Sequence, residues 1–280
     1  MSESIYKKNV KSHLEAYLPA LWLEGFGNIV DLKLTKDPKL KGATNAIFYK
    51  VKASTEFVIK FGLDDVPKEK KGYRILRDAS KTFAKHLVPL LGETKGIEDE
   101  GLNKAILLTP FINSLTLHDI VSNYQRITTK TWILKVYSDY LNELRLLWAK
   151  TKKACKPSLK DIYFKRLSSR LQEFKGKKGL NRSANLILKI NGKTVKIEEK
   201  IKPSIQHKLE NFENKVKYSC IIHGDEHPKN ILIRRENIGL NEKYWYLIDC
   251  GNALEQGDWI FSIAKILHWW KVYFAIENAK

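Results

Sequence analysis

The eight residues from His223 to Asn230, HGDEHPKN, hold side chains whose types and spacing suit chemistry at a phosphate group. A short apolar run, 231–233, follows them, and a second run, 244–248, ends at Asp249. If the two runs form a hairpin, Asn230 lies beside Asp249, because opposed residues of paired strands are about 5 Å apart. An amide oxygen and a carboxylate at this distance can share a hard cation such as Mg²⁺, which prefers oxygen ligands.

Asp225 lies on the same loop as Asn230, close enough to address a hydroxyl group beside such a metal ion. In phosphoryl transfer the metal screens the phosphate oxygens, and a free carboxylate orients and deprotonates the attacking hydroxyl. The spacing His-x-Asp-x-x-x-x-Asn is that of a kinase catalytic loop, and Asp-x-Gly after a strand is that of its metal-binding segment. The pattern therefore predicts phosphoryl transfer.

Lys60 is the one charged residue in an otherwise apolar stretch, 57–61. A lysine in a buried strand needs an anionic partner, because an unpaired buried charge is costly. An exposed lysine on an edge strand is the alternative interpretation.

Short apolar and β-branched runs separated by turns predict an antiparallel sheet, and longer runs with helical spacing predict helices. The predicted strands are 29–34, 46–51, 56–61 and 102–108, with an inserted hairpin around Asn191-Gly192, a strong turn signal. The predicted helices are 5–22, one from Pro67 to about Leu91, one from Leu117, one over 130–148 and one over 259–274.

The composition limits the class of protein. With 280 residues, 43% of them hydrophobic, the chain can bury a core, which excludes a disordered protein. Its 50 Lys and Arg against 31 Asp and Glu give a net charge of +19, which suits anionic ligands or reflects a general drift toward lysine. Nucleic-acid binding is disfavoured, because the lysine tracts lack interleaved aromatic residues. Three scattered cysteines and no signal or membrane-spanning stretch predict a soluble, cytoplasmic protein.

The segment from His223 to Leu232 resembles the aminoglycoside phosphotransferase and choline kinase superfamily, whose loop reads approximately His-Gly-Asp-Leu-His-Pro-Gly-Asn-Ile-Leu. The resemblance implies an α+β, two-lobed protein-kinase-like fold, with a small antiparallel-sheet N-lobe and a mainly helical C-lobe. The expected divisions are an N-terminal helical segment, 1–29, the N-lobe, 30–112, and the C-lobe, 113–280.

The resemblance also implies roles for individual residues. Asp225 would be the catalytic base, and Asn230 and Asp249 would bind Mg²⁺. Lys60 would contact the nucleotide phosphates and pair with Glu69 of the next helix. Further nucleotide contacts are implied for Thr44 and Asn45 of a phosphate-covering loop, which can also be an ordinary turn, for the carbonyl of Pro110 and for the N–H of Ile112. Supporting positions are His223, His227, Gly251 and Asp258, the last as a helix cap and a brace for the catalytic loop.

Three residues depart from the pattern of the superfamily. Glu226 and Lys229 replace its Leu and Gly, and Ser262 replaces the second Asp of its Gly-Asp-x-x-x-Asp-Leu-Ala stretch, which places a supporting hydrogen bond in doubt. The function expected is ATP- and Mg²⁺-dependent transfer of phosphate to a hydroxyl of a small molecule: a sugar, an amino alcohol or an antibiotic-like acceptor. The basic charge disfavours polycationic aminoglycosides. The alternative is an inactive, kinase-like nucleotide-binding module.

The last predicted helix is apolar on nearly all sides. Such a helix must be covered, so we expect it to dock into the C-lobe and to be needed for folding. Any part left uncovered would form a Trp-rich patch through which the protein could self-associate.

Overall fold

The computed structural model describes residues 33–36, 47–52, 56–61, 65–91, 106–123, 127–154, 158–177, 187–190, 192–197, 202–213, 215–240 and 245–273. Four of its strands form one antiparallel sheet in the order β1-β2-β3-β4: β1 Lys33–Lys36, β2 Ile47–Lys52, β3 Glu56–Phe61 and β4 Ile106–Pro110. Strand β3 pairs on both sides, so Lys60 lies opposite Phe48 and Leu107. The predicted N-lobe sheet is confirmed, whereas residues 1–29, Thr44 and Asn45 lie outside the described residues.

The helix that follows β3 in the chain is shorter than predicted. Helix α1 runs over Asp65–Ala79, so Pro67 lies in its first turn, where a missing N–H removes no intrahelical bond. The prediction that it reaches Leu91 was wrong, because Ser80 adopts an extended backbone and its hydroxyl accepts a hydrogen bond from the N–H of Phe83 at 3.4 Å. Ser80 thereby caps a separate short helix, α2, Lys81–Ala84.

The rest of the chain is mainly helical. The helices are α3 Leu117–Asn123, α4 Ile127–Thr151, α5 Arg166–Lys177, preceded by a wide helical turn Lys160–Lys165, and α6 Lys202–Glu213. Strands β6 Ile187–Ile190 and β7 Lys193–Lys196 form the predicted inserted hairpin. Gly192 at its turn has φ 76°, a left-handed conformation that glycine adopts without strain.

Two small sheets position the loop from His223 to Asn230 and the segment that ends at Asp249. Strand β9, Ile231–Arg234, pairs with β10, Trp245–Leu247, and with β5, Ser114–Thr116. Strand β8, Cys220–Ile222, pairs with β11, Leu254–Gly257. The loop from His223 to Asn230 therefore leaves one small sheet and enters another, which fixes both of its ends.

The hairpin β9–β10 is anchored in the main core. Trp245 is fully buried, its ring stacks on His86 with 3.8 Å between centroids, and its indole N–H donates to Asp139 at 3.2 Å. The same cluster contains Tyr73 of α1 and Tyr140 of α4. Because one core joins α1, α4 and the hairpin, the site residues on these elements are held relative to one another.

The last helix, α7 Trp259–His268, continues into a wider helical turn, Trp269–Tyr273. Its buried side chains are Phe261, Ser262, Ile266 and Trp269. The predicted docking is therefore confirmed for one face, while the opposite face leaves Trp259, Ile260 and Leu267 about half exposed. Self-association through that face stays a prediction. None of the helices in the described part of the chain is long and apolar enough to cross a membrane.

The docking of α7 predicts unequal effects at two adjacent positions. Ile266→Ala is expected to lower the free energy of unfolding by about 2–5 kcal/mol, because it leaves a cavity in the core. Leu267→Ala, at an exposed position, should change it by less than about 0.5 kcal/mol. Urea unfolding followed by tryptophan fluorescence measures both, and equal effects would contradict the docking. Deletion of all residues after Gly257 should give unfolded or aggregated protein, and a folded, monomeric product would show that α7 is dispensable.

Candidate active site

The β9–β10 hairpin brings the two predicted motifs together. Ile231 pairs with Leu247, and the N–H of Ile248 donates to the backbone carbonyl of Asn230 at 3.0 Å. Asn230 and Asp249 thus flank the same end of the hairpin. The side-chain NH₂ of Asn230 donates to the backbone carbonyl of Asp225 at 3.0 Å, so the amide oxygen is the atom of Asn230 suited to a cation.

His223 connects the catalytic-loop segment to the residue before Asp249. Its ring Nδ1 accepts a hydrogen bond from the N–H of Asp225 at 3.3 Å, and its Nε2 lies 3.1 Å from the carbonyl of Ile248. An accepting Nδ1 requires the proton on Nε2, which then donates to Ile248. The side chain is fully buried, so this supporting residue fixes the spacing between the two motifs.

Asp249 has a left-handed backbone, with φ 59° and ψ 53°. It is the one residue other than glycine with positive φ in the described ranges. This conformation costs a non-glycine residue about 1–2 kcal/mol, and such strain concentrates at functional sites. The turn directs the carboxylate of Asp249 toward the N-lobe sheet, where Oδ1 lies 3.6 Å from Nζ of Lys60.

Lys60 is the charged link between β3 and α1. It is buried, and its ammonium donates a hydrogen bond to Oε2 of the buried Glu69. Burial by itself lowers the pKa of Lys60, but Glu69 and Asp249 outweigh it and raise the pKa above its ordinary value. The lysine is therefore a fixed cation, and the alternative of an exposed edge-strand lysine is wrong.

Helix α1 packs closely against the loop after Asp249 at Gly72, which was not among the predicted site residues. A Cβ on Gly72 would lie 1.8 Å from the carbonyl oxygen of Cys250, which is far below any allowed contact. Gly224 in the catalytic-loop segment is similar: its φ is 78°, and a Cβ there would lie 2.2 Å from the carbonyl oxygen of Asn252. At Gly251, in contrast, a Cβ would make ordinary contacts of 3.7 Å or more with Glu69.

Asp225 contacts one lysine and one histidine side chain. Oδ1 accepts a hydrogen bond from Nζ of Lys265 at 2.7 Å, and Oδ2 lies 3.4 Å from Nε2 of His227. Burial raises the pKa of Asp225, but His227 and Lys265 outweigh it and hold the pKa well below its ordinary value. Asp225 is therefore ionised at neutral pH. Lys265 was not predicted from the sequence, because a lysine 40 positions away on an apolar helix gives no local signal.

Glu226 and Ser262, two of the three departures from the superfamily pattern, contact one another. Glu226 is fully buried, and its Oε1 accepts hydrogen bonds from the N–H groups of His223 at 3.1 Å and Gly224 at 3.0 Å and from the hydroxyl of Ser262. The pattern has a carboxylate at the Ser262 position and Leu at the Glu226 position. Compared with that pattern, the carboxylate lies on the loop and the hydroxyl on the helix, and Glu226 is the acceptor for the loop N–H groups.

This exchange predicts a non-additive pair of substitutions. Glu226→Leu is expected to lower the free energy of unfolding by about 2–5 kcal/mol, because each buried donor left without an acceptor costs about 1–3 kcal/mol. Adding Ser262→Asp should recover much of the loss by returning a carboxylate to the same space. Chemical denaturation of both single variants and the double variant measures the coupling. Additive losses would contradict the shared role.

The remaining predicted positions lie on the elements around this centre. Asp258 caps α7 as predicted, since its carboxylate accepts from the N–H of Ile260 at 3.0 Å, and its other oxygen accepts from the hydroxyl of Tyr163 at 2.8 Å. The side-chain bonds from α7 to the catalytic loop come from Ser262 and Lys265. Pro110 ends β4, and the N–H of Phe111 donates to the carbonyl of Glu56 at 2.8 Å, so Ile112 follows where the chain leaves the sheet.

Comparison with known proteins places the fold. No protein-family model matches the chain, and no curated protein matches its sequence. Among solved structures it is similar to the choline kinase LicA from Streptococcus pneumoniae, with a TM-score of 0.54 and 13% identity over 94% of this chain and 74% of that one. A structure of APH(2″)-IIa with gentamicin gives 0.46 and 15%, over 94% and 73%. A structure of APH(2″)-IIa with streptomycin and ATP gives 0.44 and 13%, over 99% and 84%.

The likeness to the choline kinase shows that this chain has a kinase-like, α+β two-lobed fold, as predicted. At 13% identity the likeness shows the fold alone.

Proposed function

We propose that this chain with a kinase-like fold is a phosphotransferase, which moves the terminal phosphate of ATP to a hydroxyl group of a small molecule with the help of Mg²⁺. The observation that carries the proposal is the position of Lys60, which reaches from β3 to Glu69 and to within 3.6 Å of Asp249. Asn230 and His223 bond both to Asp225 and to the backbone of Ile248, the residue before Asp249. A phosphate-binding cation, a metal-binding carboxylate and a hydroxyl-orienting carboxylate are thus joined in one network.

The nucleotide would bind between the sheet and the hairpin. The ammonium of Lys60, positioned by Glu69, would contact its phosphates, and the carbonyl of Pro110 and the N–H of Ile112 would hold the adenine. Proline keeps its carbonyl as an acceptor, so its lack of an N–H does not interfere.

The residues at the hairpin end fit a magnesium ion. The amide oxygen of Asn230 and the carboxylate of Asp249 are both oxygen donors, and the side chain of Asp249 is 43% exposed. The described residues contain no cluster of three or more His, Cys, Asp or Glu side chains able to hold a metal. A bound Mg²⁺ would therefore take its other ligands from phosphate and water, as it usually does beside nucleotides. When bound, it would neutralise charge on the phosphate oxygens.

Asp225 would orient the acceptor hydroxyl and receive its proton. In the transfer, the hydroxyl oxygen forms a bond to the terminal phosphorus, the bond from that phosphorus to the bridging oxygen breaks, and ADP leaves. Because the pKa of Asp225 is held low, the side chain is ionised and can both orient the hydroxyl and accept its proton.

The alternative, an inactive nucleotide-binding module, drew on Glu226 and Ser262 as signs of decay. Their contacts remove this support, because Glu226 accepts from the loop N–H groups of His223 and Gly224 and the hydroxyl of Ser262 donates to the same oxygen. Lys60, Asp225, Asn230 and Asp249 are all present, which favours an active enzyme.

The proposal is tested with a panel of hydroxylated metabolites, ATP and Mg²⁺, scored for ADP release above the rate without acceptor. We expect release that depends on both an acceptor and the metal. ATP binding without release for any acceptor would instead support the inactive module.

A further inference from the structure

A lysine from the last helix lies directly on the carboxylate that we assign to the acceptor hydroxyl. Nζ of Lys265 is 2.7 Å from Oδ1 of Asp225, and the two side chains are 29% and 16% exposed. An ammonium has three N–H donors, of which this bond uses one. Because Lys265 is partly exposed and contacts Asp225, a molecule that reaches Asp225 also comes close to the ammonium.

Arg166 is a second cation, held from a different element against α7 and the turn after Asp249. It begins α5, and its Nη2 donates to the side-chain oxygen of Asn252 at 3.0 Å. Its guanidinium also lies 5.2 Å from the ring centre of Phe261, one helical turn before Lys265 on α7. Burial lowers the pKa of Arg166, while the field of Asp225 raises it. The Arg166 guanidinium is thus held between Asn252 and Phe261, the latter on the helix that carries Lys265.

These cations constrain the acceptor. A molecule that brings its hydroxyl to Asp225 displaces water from Lys265 and Arg166, and a charged group that loses water without gaining a partner is costly. A carboxylate or phosphate on the acceptor would replace that water with charge-assisted hydrogen bonds. An amine at the same place would be repelled.

We propose that the acceptor carries a negatively charged group, a phosphate or a carboxylate, near its reacting hydroxyl, and that Lys265 and Arg166 bind this group. The inference rests on the proposed function and names its substrate class. It excludes cationic amines as preferred acceptors of this site.

Four pyranoses that share one frame test the proposal: glucose 6-phosphate, glucuronate, glucose and glucosamine. With the full chain, ATP and Mg²⁺, kcat/KM from ADP release should be highest for the two anionic sugars and lowest for glucosamine. Lys265→Met should raise KM for the anionic sugars by about 10- to 100-fold relative to KM for glucose, the range for one charged hydrogen bond. Arg166→Met should act in the same direction.

Two controls separate the possible outcomes. Lys135→Met makes the same charge change on the exposed face of α4 and should leave the preference intact. A uniform change in kcat for all four sugars is expected from the contact between Lys265 and Asp225, so the deciding quantity is KM: if Lys265→Met leaves KM for the anionic sugars at its wild-type ratio to KM for glucose, the proposal is wrong. It is also wrong if glucosamine is preferred.

Binding of the same sugars in the presence of ADP and Mg²⁺, measured by calorimetry, separates this inference from the proposed function. Selective binding of the anionic sugars without ADP release for any of them would contradict the kinase activity and support the anion site. Neither binding preference nor release would overturn both.

Discussion

Asp225→Asn is expected to lower kcat by about 10²- to 10⁴-fold, the range for loss of general-base catalysis, with little change in ATP binding. The contacts of Asp225 are with Lys265, His227 and its own loop, whereas Lys60 and Asp249 are the residues proposed to face the nucleotide and its metal. Steady-state kinetics and calorimetry with ATP measure the two effects separately.

A matched control makes this result specific. Asp78→Asn introduces the same chemical change at a side chain that is 73% exposed and should leave kcat unaltered. Thermal unfolding of the Asp225 variant checks that the loop remains folded after Lys265 and His227 lose a carboxylate partner. Full turnover of a folded Asp225→Asn protein would remove Asp225 from the assigned role.

Asp249→Ala is expected to abolish the magnesium dependence of ATP binding, because Asp249 is the carboxylate of the proposed metal pair. Loss of residues that merely orient metal ligands costs about 10- to 100-fold in metal affinity, so loss of the ligand itself should exceed that range. Titration calorimetry of ATP with and without Mg²⁺ measures the change.

Lys60→Met provides the contrast. It should weaken ATP binding whether or not Mg²⁺ is present, because it removes a phosphate contact and leaves both proposed metal ligands in place. If wild type and Asp249→Ala respond equally to Mg²⁺, the metal assignment is wrong.

The local parts of this site could be predicted from the sequence because each has a local signal. Asn230 and Asp249 border apolar runs that read as strands, and hairpin pairing then fixes which ends meet. Lys60 stands out as a charge within an apolar strand. Each inference needs one element or one pair of adjacent elements.

The contacts that could not be predicted join elements far apart in the chain. Lys265 reaches Asp225 because α7 packs beside the catalytic loop. Arg166 reaches Asn252 and Phe261 because α5 packs beside the same region. Gly72 is ordinary in a helix until Cys250 is placed against it. The break at Ser80 was missed for another reason: its capping geometry depends on a backbone choice that the apolar periodicity of the helix does not reveal.

The exchange between Glu226 and Ser262 restricts how such a loop can evolve. One end state has Leu at 226 and Asp at 262, and the other has the present Glu226 and Ser262. Changing one residue at a time between them passes through one of two intermediates. One has Glu226 and an aspartate at position 262, with two carboxylates crowded in a buried space. The other has Leu at 226 and Ser at 262, with the N–H groups of His223 and Gly224 lacking the carboxylate they now bond. We expect both to be less stable than the present pair, because one crowds two buried carboxylates and the other leaves buried N–H groups without a carboxylate acceptor.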